Sequence, residues 1–400
     1  MGRVWCAVAL ALLIPAAAGA ESLRESEFLD LLDAAHPAFA ALSQRIGEAR
    51  AEVARARVLA NPVIDFEREA PEESPAVSTL SMAWTPPLDG RRGPHVKAAT
   101  AGLDAATADF ESATLNLRRD LRASFATWAT ASERRRIIET HAALIEGLAE
   151  QMEARAESGE ESRLAARRVS LAALEVRGEK ARADVAAAAA QSRAVVWADR
   201  DLSGMDPVVP ELPPIPSETL SVEQRPDVAA RRFELAQVEQ QRRLAGRVLR
   251  FPEIRAGWQR IENGMPSGEG PVLGLAWSLP LFDRDQGDRI ATDAQRSAAR
   301  ARLELTTRSA RAELESARAS YGLLREAAGS AIEALEDMDR VIESTMASFR
   351  LGESRLTDLL ETLRSVLAAR IAALDLYESA LQAHRDLEVA AGRSLILQEG

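Results

Sequence analysis

The sequence is short of cysteine and of aromatic residues, and both shortages narrow the classes of protein that it can describe. Its 400 residues include one cysteine, two tyrosines and 4% aromatic residues in all. A single cysteine, Cys6, excludes a disulfide scaffold. Because much of the apolar fraction is alanine, we expect long packed helices rather than one thick globular core.

Excess basic charge is also lacking. The chain carries 50 Lys and Arg against 61 Asp and Glu, a formal net charge of -11, and no basic cluster interleaved with aromatics. Nucleic acid is therefore not expected as a partner. The four histidines share no metal-ligand spacing, and the chain has neither a phosphate-binding loop nor a nucleophile elbow. We predict no enzyme, no cofactor and no metal centre.

The first twenty residues predict export. Residues 1–20 contain Arg3, an apolar stretch that ends at Pro15, and the small residues Ala18-Gly19-Ala20, a pattern typical of a cleaved signal peptide. The alternative, a membrane anchor, is disfavoured because the apolar stretch is shorter than the roughly 20 residues that a spanning helix needs. Cys6 lies inside this segment, so we expect a mature chain without a lipid anchor.

The rest of the chain is a tandem repeat. Each copy contains a helix that leads to an X-Pro pair, the motif Ala-Trp-x-x-Pro-Leu, and later a Gly-Glu turn followed by Ser-Arg-Leu, and these signals occur in the same order. Five prolines within eleven residues separate the copies, which indicates an extended linker. We predict a first repeat over 21–205, a linker over 206–224 and a second repeat over 225–400.

Within each repeat, the apolar periodicity changes from helical to alternating and back again. Alternation predicts strands over about 62–70 and 76–86 in the first repeat, and 252–262 and 271–281 in the second. Uninterrupted helical stretches follow at roughly 97–156 and 287–350, long enough for rods of about 90 Å. Each rod ends near a glycine, and a second helix returns. Each repeat is thus predicted to be a strand pair plus a long helical hairpin.

Strands of about 9 to 11 residues with one apolar face have the length that crosses an outer membrane. Four strands cannot close on themselves, and lipid tolerates no open sheet edge. Three copies of the chain would supply a twelve-stranded barrel. The alternative that the pattern leaves open is an exported coiled-coil spacer whose strand pairs cap its ends.

This order of elements resembles the TolC-type outer-membrane efflux proteins over nearly the whole mature chain. The most specific pieces are Arg225-Pro226-Asp227 at the start of the second repeat and Phe349-x-x-Gly352-x-Ser354-x-Leu356-x-Asp358-Leu359-Leu360 at its turn. The resemblance implies a mainly α fold with a membrane β-barrel, which trimerises into a 12-stranded β-barrel and a periplasmic α-helical barrel. It also implies outer-membrane lipid, a periplasmic adaptor (membrane fusion) protein and an inner-membrane RND-type pump as partners.

Two short segments are similar to the heavy-metal-efflux branch of this family, Asn61-Pro62 and Pro87-Leu88-Asp89-Gly90-Arg91-Arg92. We predict the exit duct of a tripartite efflux system in the outer membrane of a Gram-negative bacterium, with passive transport from the periplasm or the pump to the exterior. The alternative is a periplasmic coiled-coil adaptor or structural protein. The sequence does not identify the transported substrate, because selection would rest with the pump.

Two sets of residues are candidates for function. Asp358 and Glu361 are three residues apart and so share one helix face. The resemblance places them at the constriction of the channel, where a trimer would gather six carboxylates into a cation-attracting gate. The alternative is an ordinary solvated helix face. The resemblance also gives the two helical tips a role in contact with the adaptor, and the alternative is that these residues only form turns. The tips comprise Gly159, Glu160, Arg163, Leu164, Gly352, Glu353, Arg355 and Leu356. Trp84, Trp258 and Trp277 suit either interfacial belts or core packing.

Overall fold

A computed structural model describes residues 21–30, 37–70, 75–198, 200–216, 220–262 and 268–395. The predicted signal peptide (1–20) and the tips of both strand pairs (71–74 and 263–267) lie outside these residues. The chain forms two compact units. A helical unit comprises residues 1–37, 114–222 and 311–400, and a sheet unit comprises 38–113 and 223–310.

The elements of the described residues follow the predicted order twice. In chain order they are β1 (Glu21–Leu23), α1 (Glu25–Asp30), α2 (Pro37–Arg57), β2 (Val63–Glu69), β3 (Ala76–Trp84), α3 (Arg92–Glu157), α4 (Arg163–Ala198), β4 (Met205–Pro207), α5 (Pro226–Ala245), β5 (Glu253–Glu262), β6 (Gly268–Ala276), α6 (Gln286–Leu335), α7 (Met338–Arg350) and α8 (Leu356–Ala391). A short 3-10 turn, Val222–Gln224, precedes α5.

The sheet unit contains one four-stranded antiparallel sheet in the order β2-β3-β5-β6. The central pairing, β3 with β5, joins the two repeats. Gly257 on β5 is needed there, because a Cβ atom at this position would lie 2.5 Å from the Leu80 carbonyl oxygen and 2.7 Å from the Ser81 Cβ. The sheet is therefore tightest at the joint between the repeats.

Several predicted boundaries differ from the structure. The fourth strand begins at Gly268 rather than 271 and ends at Ala276 rather than 281, because pairing with β5 extends it toward the turn. Both opening helices end before their X-Pro pairs, α2 at Arg57 and α5 at Ala245. Proline disfavours helical geometry in the residue before it, and here the exit from the helix starts several residues earlier.

The helical stretch predicted over 287–350 is interrupted. The structure breaks it at Glu336 and Asp337, between α6 and α7, whereas its counterpart α3 runs unbroken for 66 residues. No proline lies at the break. Acidic side chains recur there at three- and four-residue spacing, Glu333, Glu336, Asp337 and Asp339, and like charges at that spacing destabilise a helix.

The helical unit packs its helices through small and aliphatic side chains. One cluster lies toward the two helical turns and joins α3, α4, α7 and α8 through residues that include Ile145, Met152, Val169 and Leu363. A second cluster, in which the ring of Phe125 contacts the rings of Phe28 and Trp128, holds the N-terminal segment against α3 and α4. β1 pairs in parallel with β4, which ties the residue after the predicted signal peptide to the linker.

The proline-rich linker is fixed to the helical unit by the only two tyrosines of the chain. Tyr377 donates its hydroxyl proton to the Pro210 carbonyl (2.9 Å), and Tyr321 donates to the Pro213 carbonyl. Arg325 donates to the same Pro213 oxygen at 3.0 Å. Proline supplies carbonyl acceptors but no N–H donor, so side-chain donors from α6 and α8 satisfy the linker.

A buried ionic cluster ties α1, α3 and α8 together. Arg122 is 8% exposed; its Nε lies 3.1 Å from Glu25, and its Nη1 pairs with Glu388. Glu388 also accepts the Leu395 backbone N–H at 2.8 Å. Buried charges require partners of this kind, and together they connect the start and the end of the described chain.

Candidate channel-forming surfaces

One face of the sheet is apolar across all four strands. The register sets Ile64, Met82, Ala256 and Leu273 in one row and Phe66, Leu80, Trp258 and Pro271 in the next. Most of these side chains are exposed, with Ile64 at 72% and Leu273 at 82%. A contiguous exposed apolar surface of this kind marks an interaction site, and its alternation suits strands that face lipid.

The opposite face is small and polar. Asp65, Ser81, Gly257 and Val272 share one row, and Glu67, Thr79, Gln259 and Gly270 share the next. Nothing lies within 4 Å of a Cβ built at Gly270 on this face, and the acidic side chains of β2 are exposed. One apolar and one polar face are what a barrel wall between lipid and water requires.

Polar groups bound the apolar face at both ends. Toward the strand turns, Arg68 pairs with Glu262 at 3.4 Å and Arg260 with Glu269 at 3.3 Å. At the other end, Trp84 donates its indole N–H to the Ala60 carbonyl, and Trp277 donates to the Arg250 carbonyl, both at 3.0 Å. Of the three tryptophans singled out from the sequence, these two lie at strand ends, whereas Trp258 lies within the apolar rows.

The outer strands of the sheet, β2 and β6, each pair on one side only among the described residues. Edge groups of this kind must be paired before a sheet can enter lipid. Because β2, β3, β5 and β6 alternate in direction, β2 and β6 run antiparallel to each other. The β6 edge of one copy can therefore continue an antiparallel sheet with the β2 edge of another.

The predicted constriction residues lie in the first two turns of α8. Asp358 and Glu361 are both exposed, while Leu359 and Leu363, on the other side of the helix, are buried in the cluster near the turns. The Thr357 hydroxyl donates to Asp358 at 3.3 Å. Within the described chain neither carboxylate forms an ion pair, whereas nearby Arg364 pairs with Glu175 at 2.7 Å. Their role at a constriction remains a prediction.

The predicted tips are two helical turns of the same design. Gly159 and Gly352 adopt φ values of +79° and +76°, which glycine alone adopts without strain. Neither site is crowded, because nothing lies within 4 Å of a Cβ built at either position. Around them Glu160, Arg163, Leu164, Glu353 and Arg355 are exposed, and Leu356 is half-buried. The turns thus present charged and apolar side chains, and their contact with an adaptor stays a prediction.

The two turns differ in how the next helix begins. The Ser162 hydroxyl accepts the Ala165 backbone N–H at 3.0 Å and caps α4, as expected of serine at this position. α8 begins after Arg355, which provides no side-chain cap. The first turn, which is one residue longer than the second, therefore ends in a regular N-cap.

A crevice near the turns was not predicted from the sequence. It has a volume of about 440 Å³ and lies between the ends of α3 and α7, with Met152, Met346, Phe349 and Leu359 as apolar lining and Arg155 and Arg350 beside them. Methionine side chains adapt readily to different partners. The sequence signal for this crevice is the methionine that precedes each Gly turn, Met152 before Gly159 and Met346 before Gly352.

Two histidines are buried away from these surfaces. Burial lowers the pKa of His141 to about 4, and nearby Arg370 lowers it further in the same direction. Burial likewise lowers the pKa of His384 to about 4, partly opposed by Glu388. In the part of the chain that the structure describes, no three His, Cys, Asp or Glu side chains are grouped for metal binding. Nor does any described helix have a stretch long and apolar enough to cross a membrane.

The fold of this chain is that of solved outer-membrane channels. The structure superposes on the outer membrane protein VceC from Vibrio cholerae with a TM-score of 0.75, covering 93% of this chain and 97% of that one at 16% identity. It superposes on the CmeC outer membrane channel of Campylobacter jejuni with a TM-score of 0.74, covering 92% and 85% at 14% identity. The predicted fold class is confirmed.

Sequence comparison finds similarity to efflux proteins of the outer membrane. Residues 219–393 match the family described as "Outer membrane efflux protein". The chain is 25% identical over 376 residues to the cobalt-zinc-cadmium resistance protein CzcC of Cupriavidus metallidurans, covering 88% of this chain and 86% of the relative. These matches confirm the predicted resemblance to the outer-membrane efflux proteins. The family is one of transport proteins rather than enzymes.

Proposed function

We propose that three copies of this chain form the passive exit duct of a tripartite efflux system in a Gram-negative outer membrane. The observation that carries the proposal is the four-stranded sheet with one continuous apolar face and two open edges. Joining β6 of each copy to β2 of the next gives twelve antiparallel strands and removes both edges, as a bilayer requires. The apolar rows then meet lipid, and the rows with Asp65 and Glu67 line the lumen.

We further propose that the cargo is divalent metal cations. The CzcC relative is named for resistance to cobalt, zinc and cadmium, which supports this cargo class. An acidic lumen attracts cations electrostatically.

In this proposal Asp358 and Glu361 form the selectivity ring. Both carboxylates are exposed and lack ion-pair partners within the described chain, so three copies bring six uncompensated charges together if this helix face lines the lumen. Like charges at close range repel one another, which opposes closure of the channel, and a ring of carboxylates favours cations over anions.

The tips and the crevice beside them form the proposed adaptor contact. The crevice offers an apolar lining flanked by arginines, and Leu164 on the neighbouring turn is 65% exposed. Apolar anchors surrounded by arginine are typical of protein interfaces. An inner-membrane RND-type pump, reached through the adaptor, supplies the energy.

Ion selectivity measured in planar bilayers tests this proposal. The Asp358→Asn, Glu361→Gln double variant is compared with the parent and with Glu150→Gln, Glu153→Gln, which removes two exposed acids of the same spacing on α3, outside the proposed ring. We expect the first pair to reduce cation preference and the second to leave it unchanged. Identical selectivity in all three proteins would refute the ring, and a protein without conductance would refute the duct and favour a periplasmic scaffold.

A further inference from the structure

The sheet unit carries one short sequence twice, at the end of the sheet where the strands join their helices. Residues 57–62 are Arg-Val-Leu-Ala-Asn-Pro, and residues 247–252 are Arg-Val-Leu-Arg-Phe-Pro. The first segment leads from the end of α2 into β2, and the second leads from α5 into β5. The two repeats therefore share an arginine and a leucine at this end of the sheet, in addition to the X-Pro pair.

A tryptophan is tied to each segment by the same hydrogen bond. The Trp84 indole donates to the Ala60 carbonyl, and the Trp277 indole donates to the Arg250 carbonyl, both at 3.0 Å. Ala60 and Arg250 are the fourth residues of the two segments, so the two bonds are equivalent. We call each segment with its tryptophan a rim unit: the first contains residues 57–60 and Trp84, and the second contains residues 247–250 and Trp277.

The rim units extend the apolar face of the sheet. Trp84 shares a row with Leu275 on that face, and Trp277 follows Leu275 by two residues. The leucines of the two units, Leu59 and Leu249, are 45% and 57% exposed. Tryptophan is enriched where a membrane meets water, because its side chain is apolar at one end and polar at the other. The rim units therefore lie where the proposed lipid-facing surface ends.

The rim units are basic in an acidic chain. Their two segments contain three arginines and no acid, whereas the whole chain has a net charge of -11. Arg247 donates to the Gly90 carbonyl, but Arg57 and Arg250 are exposed, and among the described residues no hydrogen bond or ion pair holds their side chains. At the opposite end of the sheet, arginines instead pair with glutamates. Each rim unit thus leaves one guanidinium available for an external anion.

We propose that each rim unit binds the headgroup of an anionic phospholipid, in the leaflet of the outer membrane nearest the helices. The inference rests on the proposed duct and names a lipid partner for it. Arginine suits the phosphate because its planar guanidinium donates two parallel hydrogen bonds, and basic side chains at a membrane surface favour anionic lipids. The leucine and the tryptophan supply the apolar contact beside the headgroup. Three chains, with two rim units each, carry six such sites.

The position of the two segments favours lipid over a second copy of the chain. The first segment precedes β2, an outer strand, whereas the second precedes β5, an inner strand. Joining the outer strands of neighbouring copies brings a copy beside the first segment but not beside the second. Lipid surrounds every strand of a closed barrel and reaches both. A design present in both repeats therefore indicates an occupant that both can reach.

Lipid retention by the purified trimer tests the proposal. The parent protein in detergent is titrated with phosphatidylglycerol, which is anionic, or with phosphatidylcholine, which is zwitterionic, and native mass spectrometry counts the bound lipids. Arg57→Gln and Arg250→Gln are made singly and together, and Arg57→Lys with Arg250→Lys keeps the charge. The matched control combines Arg45→Gln with Arg302→Gln, two exposed arginines of the sheet unit that lie more than three turns inside α2 and α6.

We expect the parent trimer to retain phosphatidylglycerol in preference to phosphatidylcholine. Each single change to glutamine should weaken phosphatidylglycerol binding about fivefold at three of the six sites, the effect of one basic residue at an anionic surface. The double change should do so at all six, and the lysine variant and the control should bind like the parent.

Three results would overturn the inference while leaving the duct intact. They are equal retention of the two lipids by the parent, an equal loss of phosphatidylglycerol in the control, and a loss with only one of the two single variants, which would contradict equivalent sites in the two repeats. A parent protein that neither forms trimers nor conducts would instead refute the proposed function on which the inference rests.

Discussion

The joint between the two repeats depends on the absence of one side chain, at Gly257. A Cβ atom there would lie 2.5 Å from the Leu80 carbonyl oxygen and 2.7 Å from the Ser81 Cβ, and both atoms are held by the β3–β5 register. Because neither atom belongs to the flexible end of a side chain, Gly257→Ala must push the strands apart. We expect destabilisation of about 1 to 3 kcal/mol, the usual cost of overpacking.

The matched control is Gly274→Ala, on the same face of the neighbouring strand. The nearest atom to its Cβ would be the Arg255 Cβ at 3.5 Å, an ordinary contact, so we expect a change of only about 0.5 kcal/mol. Urea unfolding in lipid vesicles, followed by tryptophan emission, gives the midpoints of both variants. Equal midpoints would refute the tight joint and with it the register of the central strand pair.

Three further predictions concern the helical unit. Burial lowers the pKa of His141 and His384 from 6.5 to about 4, so the folded protein opposes protonation of both side chains. Folding stability is therefore complete above pH 6.5, and each histidine removes about 3 kcal/mol of it as the pH falls to 4. A His141→Gln, His384→Gln variant should lose less stability over this range, and a loss equal to that of the parent would contradict the two lowered pKa values. Arg122→Met should cost about 3 to 5 kcal/mol in urea unfolding, because Glu25 and Glu388 lose their buried partner, whereas Arg119→Met at the exposed pair with Asp120 should cost under about 1 kcal/mol. Tyr377→Phe removes the bond to the Pro210 carbonyl and should cost about 0.5 to 1.5 kcal/mol, with faster proteolysis within the linker as the readout and unchanged cleavage as the contrary result.

The sequence predicted the features that depend on local periodicity. Alternating residues such as Ile64 and Phe66 on β2, or Leu273 and Leu275 on β6, identify strands because successive side chains point to opposite faces. The Gly turns were predicted correctly at Gly159 and Gly352 because a positive φ favours glycine. Duplication of the signals predicted the order of the elements.

Features that depend on tertiary contact were not accessible in this way. To predict that Tyr321 and Tyr377 donate hydrogen bonds to the linker, one must know that α6, α8 and the linker are in contact. The pairing of β1 with β4 joins residues far apart in sequence. A strand of three residues is also too short to be recognised by an alternating pattern. The break after Leu335 was missed because each residue there is compatible with a helix, and only the accumulated acidic charge opposes it.

Asp358, Glu361 and most of the tip residues lie on the surface of the helical unit. Their surroundings depend on a neighbouring copy or an adaptor, which no pattern within one sequence describes. The structure of the single chain gives their exposure and their unpaired charge. Assembly decides whether that charge faces a lumen.

The central claim is that three chains form a conducting duct, and planar-bilayer conductance of the purified protein tests it most directly. The parent chain is extracted from outer-membrane fractions in detergent, its mass in the detergent complex is determined, and the same sample is added to the bilayer. We expect a trimer that forms stable, cation-preferring channels. A soluble monomer in the periplasmic fraction, with no conductance at any concentration, would contradict it.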